Sequence, residues 1–198
     1  MQSILRTLAE LDHPDAARAL GQRIGTGERS TARALAAVLP TLLTALVRNA
    51  ASEHGARALL AALERDHDGG ILDDVLGAMR GTPCRFGDAI LGHILGARRS
   101  RVEIQIGRQT GLDPAFVSRI LAVLAPLVLG AVGRARLEHG WDALGLRRAL
   151  GTECTLAEDV LPGSVGVFEE LLEADADQEM GDEIPGVGEK LLRRLSRS

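Results

Sequence analysis

Apolar side chains recur at helical spacing along most of the chain. Ile4, Leu5, Leu8 and Leu11 make a first stripe, and His13-Pro14-Asp15 restarts the pattern with proline in a first turn, where its missing N–H costs nothing. Gly25-Thr26-Gly27 breaks the second helix, and Glu28 opens a long apolar one that meets Pro40 about three turns in. A proline there removes a backbone hydrogen bond and crowds the preceding turn, so a bend or break is expected. Ser52 and Glu53 start another helix to about Glu64, an acidic turn follows, and Ile71 to Met79 reads as a short helix. Gly81 to Gly87 reads as a linker into AILGHILG, Ala89 to Gly96, and an arginine cluster. Asp113-Pro114 then caps and opens a second long apolar helix. Farther on, Thr155 and Ser164 can cap two short helices around Pro162-Gly163. Pro185 to Ser198 reads as a last helix with Lys190, Arg193, Arg194 and Arg197 near its C-terminus, as the macrodipole favours.

The pattern is written twice. Leu20 to Arg48 and Ile106 to Arg134 align without a gap and share nine of twenty-nine residues, among them Gly21/Gly107, Gly25/Gly111, Arg33/Arg119, Pro40/Pro126 and Arg48/Arg134. Chance in a chain so rich in Ala and Leu matches about one position in ten. Glu53-His54-Gly55 and Ala58-Leu59 recur as Glu138-His139-Gly140 and Ala143-Leu144 after a one-residue slip, and Leu63 to Val75 pairs with Leu172 to Ile184. Three blocks in one order imply duplication. The predicted fold is therefore all-α: two related multi-helix repeats, with helix-turn-helix-like segments, packed into a helical bundle. Residues 1–80 form the first repeat, 81–104 a linker and short helix, and 105–198 a second, longer repeat.

Composition supports helices over strands, because the chain has no Tyr, one Trp and three Phe among many Leu, Ala and Val. A net charge of −4 argues against a protein devoted to neutralising phosphates. Cys84 and Cys154 are too few and too separated for a disulfide framework or metal knuckle and read as free thiols. The N-terminus lacks the basic start and unbroken apolar core of a signal peptide, which points to the cytoplasm. The longest apolar runs, Ala34 to Val47 and Ile120 to Gly133, fall short of the roughly 20 residues that cross a bilayer, so no transmembrane segment is expected.

Two constellations carry candidate chemistry. Ile106 to Leu124 has the cadence of a repressor helix-turn-helix, and with Arg98, Arg99, Arg101 and Arg119 it offers a nucleic-acid reading. After Arg119, however, the second helix runs through Ile120, Leu121, Val123 and Leu124, side chains that want burial rather than base edges. A packing use of the same shape is favoured, with nucleic acid as an alternative. Glu64, Asp66, Asp68 and Gly69, then Ile71, follow the first half of a calcium-binding loop, and Glu173, Asp175 and Asp177 occupy matching places in the second copy. The far-end carboxylate is missing, since Val75 and Ile184 stand there. Helix capping by these acids is favoured over a weak calcium site. No phosphate loop, nucleophile elbow or HExxH motif is present, so the chain reads as non-enzymatic, with no cofactor and no small-molecule substrate inferred.

Leu20 to Leu46, its second version in Ile106 to Val132, Arg48 to Gly77 and Ala89 to Gly96 together resemble the YidB-like bacterial proteins of unknown function. The resemblance covers most of residues 15 to 135 and implies an α-helical domain, helix-turn-helix-like in relatives, with no established activity. It carries over no functional residue. Gln178 and Met180 depart from the glycine-rich acidic turn associated with that family. A core-rich helical fold without a chemical constellation usually offers surfaces, so the expected role is a protein-interaction or self-associating scaffold module, its partner another protein or itself.

Overall fold

A computed structural model describes residues 14–160, together with Ile4 and Thr7 of the N-terminal segment. The expectations for Ser164, the tail helix and the acids Glu173, Asp175 and Asp177 fall outside the described residues. Among the described residues the chain is helical, with no strand. Eight helices follow in order: α1 (Pro14–Ile24), α2 (Glu28–Asn49), α3 (Glu53–Asp66), α4 (Val75–Gly81), α5 (Cys84–Ile94), α6 (Arg99–Thr110), α7 (Pro114–His139) and α8 (Ala143–Val160). Short 3₁₀ turns at Gly70–Asp74 and Gly96–Arg98 precede α4 and α6.

Helix α7 is the centre of the molecule. Every residue from Ile120 to Gly133 is buried, so this stretch has no solvent face. A helix that is apolar all round must be enclosed by others, and α5, α2, α6 and the Gly70–Asp74 turn pack on it. Helix α2 also packs on α7 and is flanked by α1 and α8. One core results, running from Leu20 on α1 through Leu35, Leu42 and Leu46 on α2 to Ile120, Leu127 and Val132 on α7 and Leu150 on α8.

Both long helices run through their prolines without a break. In α2 the Thr41 and Thr44 hydroxyls donate to the carbonyls of Ala37 (2.8 Å) and Pro40 (2.9 Å), binding polar groups beside Pro40 within the helix itself. Pro126 offers no N–H to the carbonyl of Ala122, four residues earlier, and Gly87 of α5 covers that oxygen. A Cβ at Gly87 would lie 1.7 Å from it, so only glycine permits the approach. The stretch expected to be a linker up to Gly87 is thus helical from Cys84, and Gly87 is a packing residue.

Each long helix is entered through the same kind of corner. Gly25 and Gly111 have φ of +80° and +74°, and their N–H groups donate to the carbonyls of Gly21 (2.9 Å) and Gly107 (2.8 Å). A Cβ at Gly21 would meet the Thr26 carbonyl at 2.9 Å, and one at Gly107 the Leu112 carbonyl at 2.8 Å. Asp113 caps α7 by accepting from the Ala115 N–H at 2.8 Å, as its sequence predicts.

Two expectations change. The Glu53-His54-Gly55 block opens α3, where the Gly55 N–H donates to Ser52, whereas Glu138-His139-Gly140 closes α7, with Gly140 in the left-handed region. Gly145, third in α8 as Gly55 is third in α3, has its N–H donating to Asp142 at 2.7 Å. Helix α7 is 26 residues against 22 for α2, longer by about one turn. The expected absence of a membrane-spanning segment is also corrected. Glu28–Asn49 and Pro114–His139 are long and apolar enough to cross a bilayer, with mean hydropathy 1.5 and 2.2 over the best window. Counting uninterrupted apolar runs underestimated them, because a helix keeps its length through Thr, Gly and terminal Arg residues that a run count discards. Of those windows 67% and 78% is buried inside the fold.

Candidate functional site

The acidic turn is held down by arginines from α7. Arg134 donates to the Gly69 carbonyl at 2.6 Å and also pairs with Asp73, while Arg136 pairs with Glu64 and donates to the Trp141 carbonyl at 3.2 Å. Asp66 accepts from Arg65 at 2.7 Å, Asp68 accepts the Gly70 N–H at 2.9 Å, and Asp74 caps α4 through the Gly77 N–H at 2.8 Å. The capping use of these acids is present, and Asp74 ends the 3₁₀ turn where a continuous helix from Ile71 was expected. Among the described residues no three His, Cys, Asp or Glu side chains gather as a metal ion requires, so Glu64, Asp66 and Asp68 do not converge.

Below the turn the backbone lies directly on α7. A Cβ at Gly133 would stand 1.7 Å from the His67 carbonyl, and one at Gly130 would stand 2.5 Å from the Ile71 side chain. Burial lowers the pKa of the His67 imidazole, against the upward pull of Asp66 and with the downward push of Arg65.

The arginines offered for nucleic acid do not form one surface with a free reading helix. Arg99 donates to Glu103 (2.7 Å), Asp88 (2.6 Å) and Ser118 (2.9 Å), tying α6, α5 and α7 together. Burial opposes its charge, yet the hydrogen bonds to Glu103 and Asp88 hold it above its ordinary value. Arg119 is exposed over the Phe116 ring at 5.8 Å, Arg98 is exposed on the 3₁₀ turn and Arg101 is half-buried. The helix that would enter a major groove is α7, which is buried on every side from Ile120 to Gly133.

A groove lies between α3 and α5, beside exposed apolar side chains. One part encloses about 590 Å³, with Ala58, Leu59 and Ala62 of α3 on one wall, Ala89, Ile90 and Ile94 of α5 on the other, and Leu46 and Leu129 below. The second part, about 540 Å³, adjoins it through Asp66, His67 and Ile90 and adds Ile71, Phe86 and Pro126. His54, Arg65 and His93 stand on the rim. Phe86 is 54% exposed, which is expensive for a phenyl ring and marks the open end. The α5 wall is a helical stripe at Phe86, Ala89, Ile90, His93 and Ile94, the spacing that makes one face. That signal was legible within AILGHILG, but without the fold nothing placed its outward face opposite α3.

Cys84 is a free, half-buried thiol near Arg23, which donates to the Met79 carbonyl at 2.7 Å and approaches the Cys84 sulfur at 3.7 Å. Cys154 lies outside the described side chains.

Residues 7–135 match a family described as bacterial proteins of unknown function, DUF937. No curated protein and no solved structure matches the chain.

Proposed function

The chain belongs to the bacterial DUF937 family, whose function is unknown, and from that premise we propose that it is a non-enzymatic interaction module whose docking surface is the α3–α5 groove. The observation that carries the reading is the groove's construction: two antiparallel-facing helix walls with apolar stripes over an apolar floor, open at an exposed Phe86. Such grooves receive the apolar face of an amphipathic helix, read at i, i+3, i+4 and i+7. The rigid parts of the fold support this use, because α5 is locked to α7 at Gly87 and α3 is tied to α7 through Glu64 and Arg136.

We further read the fold as a duplicated helix-corner-helix unit used for packing. The matched glycine corners at Gly25 and Gly111 and the matched prolines support it. The helix-turn-helix-like shape then belongs to the core, not to a nucleic-acid surface.

Self-association is the form of docking that needs no unknown partner. Light scattering of the full chain across a wide concentration range is expected to show a mass rising above the monomer. Phe86→Glu is expected to hold it monomeric while the melting temperature stays unchanged. A monomeric mass at every concentration would remove self-association.

A further inference from the structure

Resting on that docking reading, we infer that the occupant of the groove is a second copy of this chain: two α5 helices pack antiparallel across Ala89, and each puts its Phe86 into the other's α3–α5 groove. A groove of this kind takes a helix with apolar anchors at i, i+3 and i+4 and beyond. Among the described residues α5 is itself such a helix, with Phe86, Ala89 and Ile90 at those places and His93 and Ile94 completing the face. The other large apolar side chains left exposed, Ile104, Leu137 and Leu144, stand singly on α6, α7 and α8, each with an arginine three or four places away.

Helical geometry makes the α5 face complementary to itself. Gly87 and Leu91 are buried towards α7, and Ala89 lies about half a turn from both, so it points straight outward. Phe86 and His93 are close to two full turns apart and share the flank that faces α3; Arg85 and Gly92 share the opposite flank. A two-fold axis at Ala89 therefore sets the second copy's Phe86 against His93 and Ile90, at the mouth of the groove, and the second copy's Arg85 over Gly92. Both seats are open. A Cβ at Gly92 would meet no atom within 4 Å, which leaves room for a guanidinium, and the small side chain of Ala89 lets the two helices come close. Charge selects the direction. Asp88 already accepts from Arg99 at 2.6 Å, so Arg85 is the unneutralised charge of this face. Antiparallel packing separates the two Arg85 positions by about 12 Å along the axis, whereas parallel packing would set them side by side. The contact follows one face of a helix of 11 residues, about 16 Å long, which places it among small, reversible interfaces.

The test is site-directed cross-linking of the full chain with Cys84→Ser and Cys154→Ser. Under mild oxidation Ala89→Cys is expected to join two copies at least tenfold faster than Ser100→Cys, which is exposed on α6. Adding Gly92→Arg, which fills the seat of Arg85 and repels it, is expected to slow that linkage at least tenfold without lowering the melting temperature. Linkage through Ala89→Cys no faster than through Ser100→Cys, or unaffected by Gly92→Arg, would overturn the inference. If light scattering still shows a dimer that Phe86→Glu dissolves, docking in the groove stands and only the α5 arrangement falls. A chain monomeric at every concentration overturns this inference together with self-association, and leaves the groove to a different protein.

Discussion

Helices α2 and α7 share a proline, a glycine corner and matched buried positions, yet they are buried in different ways. Leu35 and Leu121, Leu43 and Leu129, and Ala45 and Ala131 sit at corresponding places and are all inaccessible. Where α2 has Thr44 and Val47, α7 has Gly130 and Gly133. On α2 the threonine hydroxyl bonds back to its own helix; on α7 the missing side chains admit the backbone of the acidic turn. The carbonyl left over by each proline follows the same division. Ala36 is half-buried, while the oxygen of Ala122 is sealed by Gly87. A repeated sequence pattern therefore fixes what a helix must hide, and its small residues decide which segment comes to hide it.

The largest effect comes from giving α7 the residue of α2. Gly133→Val forces a branched side chain into the His67 carbonyl, and the turn must lift. A loss of about 3 kcal/mol or more is expected, as for severe overpacking. In a chain of this size that lowers the melting temperature by roughly 6–12 °C. The reciprocal Val47→Gly removes one partly buried side chain and, valine being a weak helix former itself, costs only about 0.4 kcal/mol in helix propensity. Thermal unfolding of the two variants reads the asymmetry directly; equal losses would mean that the turn does not seat on α7 as described.

Next is the clamp above that seat. Arg134→Ala removes the bonds to the Gly69 carbonyl and Asp73, and because this arginine is partly exposed the loss is expected to be about 1–2 kcal/mol. Hydrogen exchange of residues 67–74 should accelerate more than that of Ile120 to Gly133 in α7, which are all buried. Uniform acceleration would show that Arg134 supports the whole core and not the turn.

A smaller pair of changes sharpens the likeness instead of the difference. Gly25→Ala and Gly111→Ala meet no atom within 4 Å, so their cost is purely that of a left-handed backbone, about 1 kcal/mol each. Denaturant midpoints that shift equally, within about 0.5 kcal/mol, match two corners of one design. Unequal shifts would separate them.

These comparisons also show what the sequence could carry. The helix starts at Pro14, Glu28, Glu53 and Pro114 were legible because proline, capping and periodicity are local. The roles of Gly87, Gly130 and Gly133 were not, since a helical glycine reads as a weak point until a second backbone is seen lying on it. The acids of the turn were visible as a cluster, but Arg134 and Arg136, more than sixty residues away, set their use. Glu53-His54-Gly55 and Glu138-His139-Gly140 differ in use for a related reason: the same letters can open a helix or close one. The groove walls were each visible as stripes, and only their juxtaposition was missing.

The smallest effect expected lies in acid. His67 belongs to the turn that α7 accepts and α2 does not, and burial favours its neutral form. Its folded pKa is below the ordinary 6.5, so just under that value the unfolded chain binds more protons than the folded one. Stability from this group is complete above pH 6.5, declines as pH falls through that value, and levels off below the folded pKa. The full chain should therefore lose melting temperature between pH 7.5 and 5.5, and His67→Asn should lose less over the same interval. The turn's grip on α7 would then weaken in mild acid while α2, packed without it, keeps its own contacts. Exchange rates in residues 67–74 that do not respond to pH beyond the intrinsic chemical rate, in a variant-independent way, would place the imidazole outside that grip.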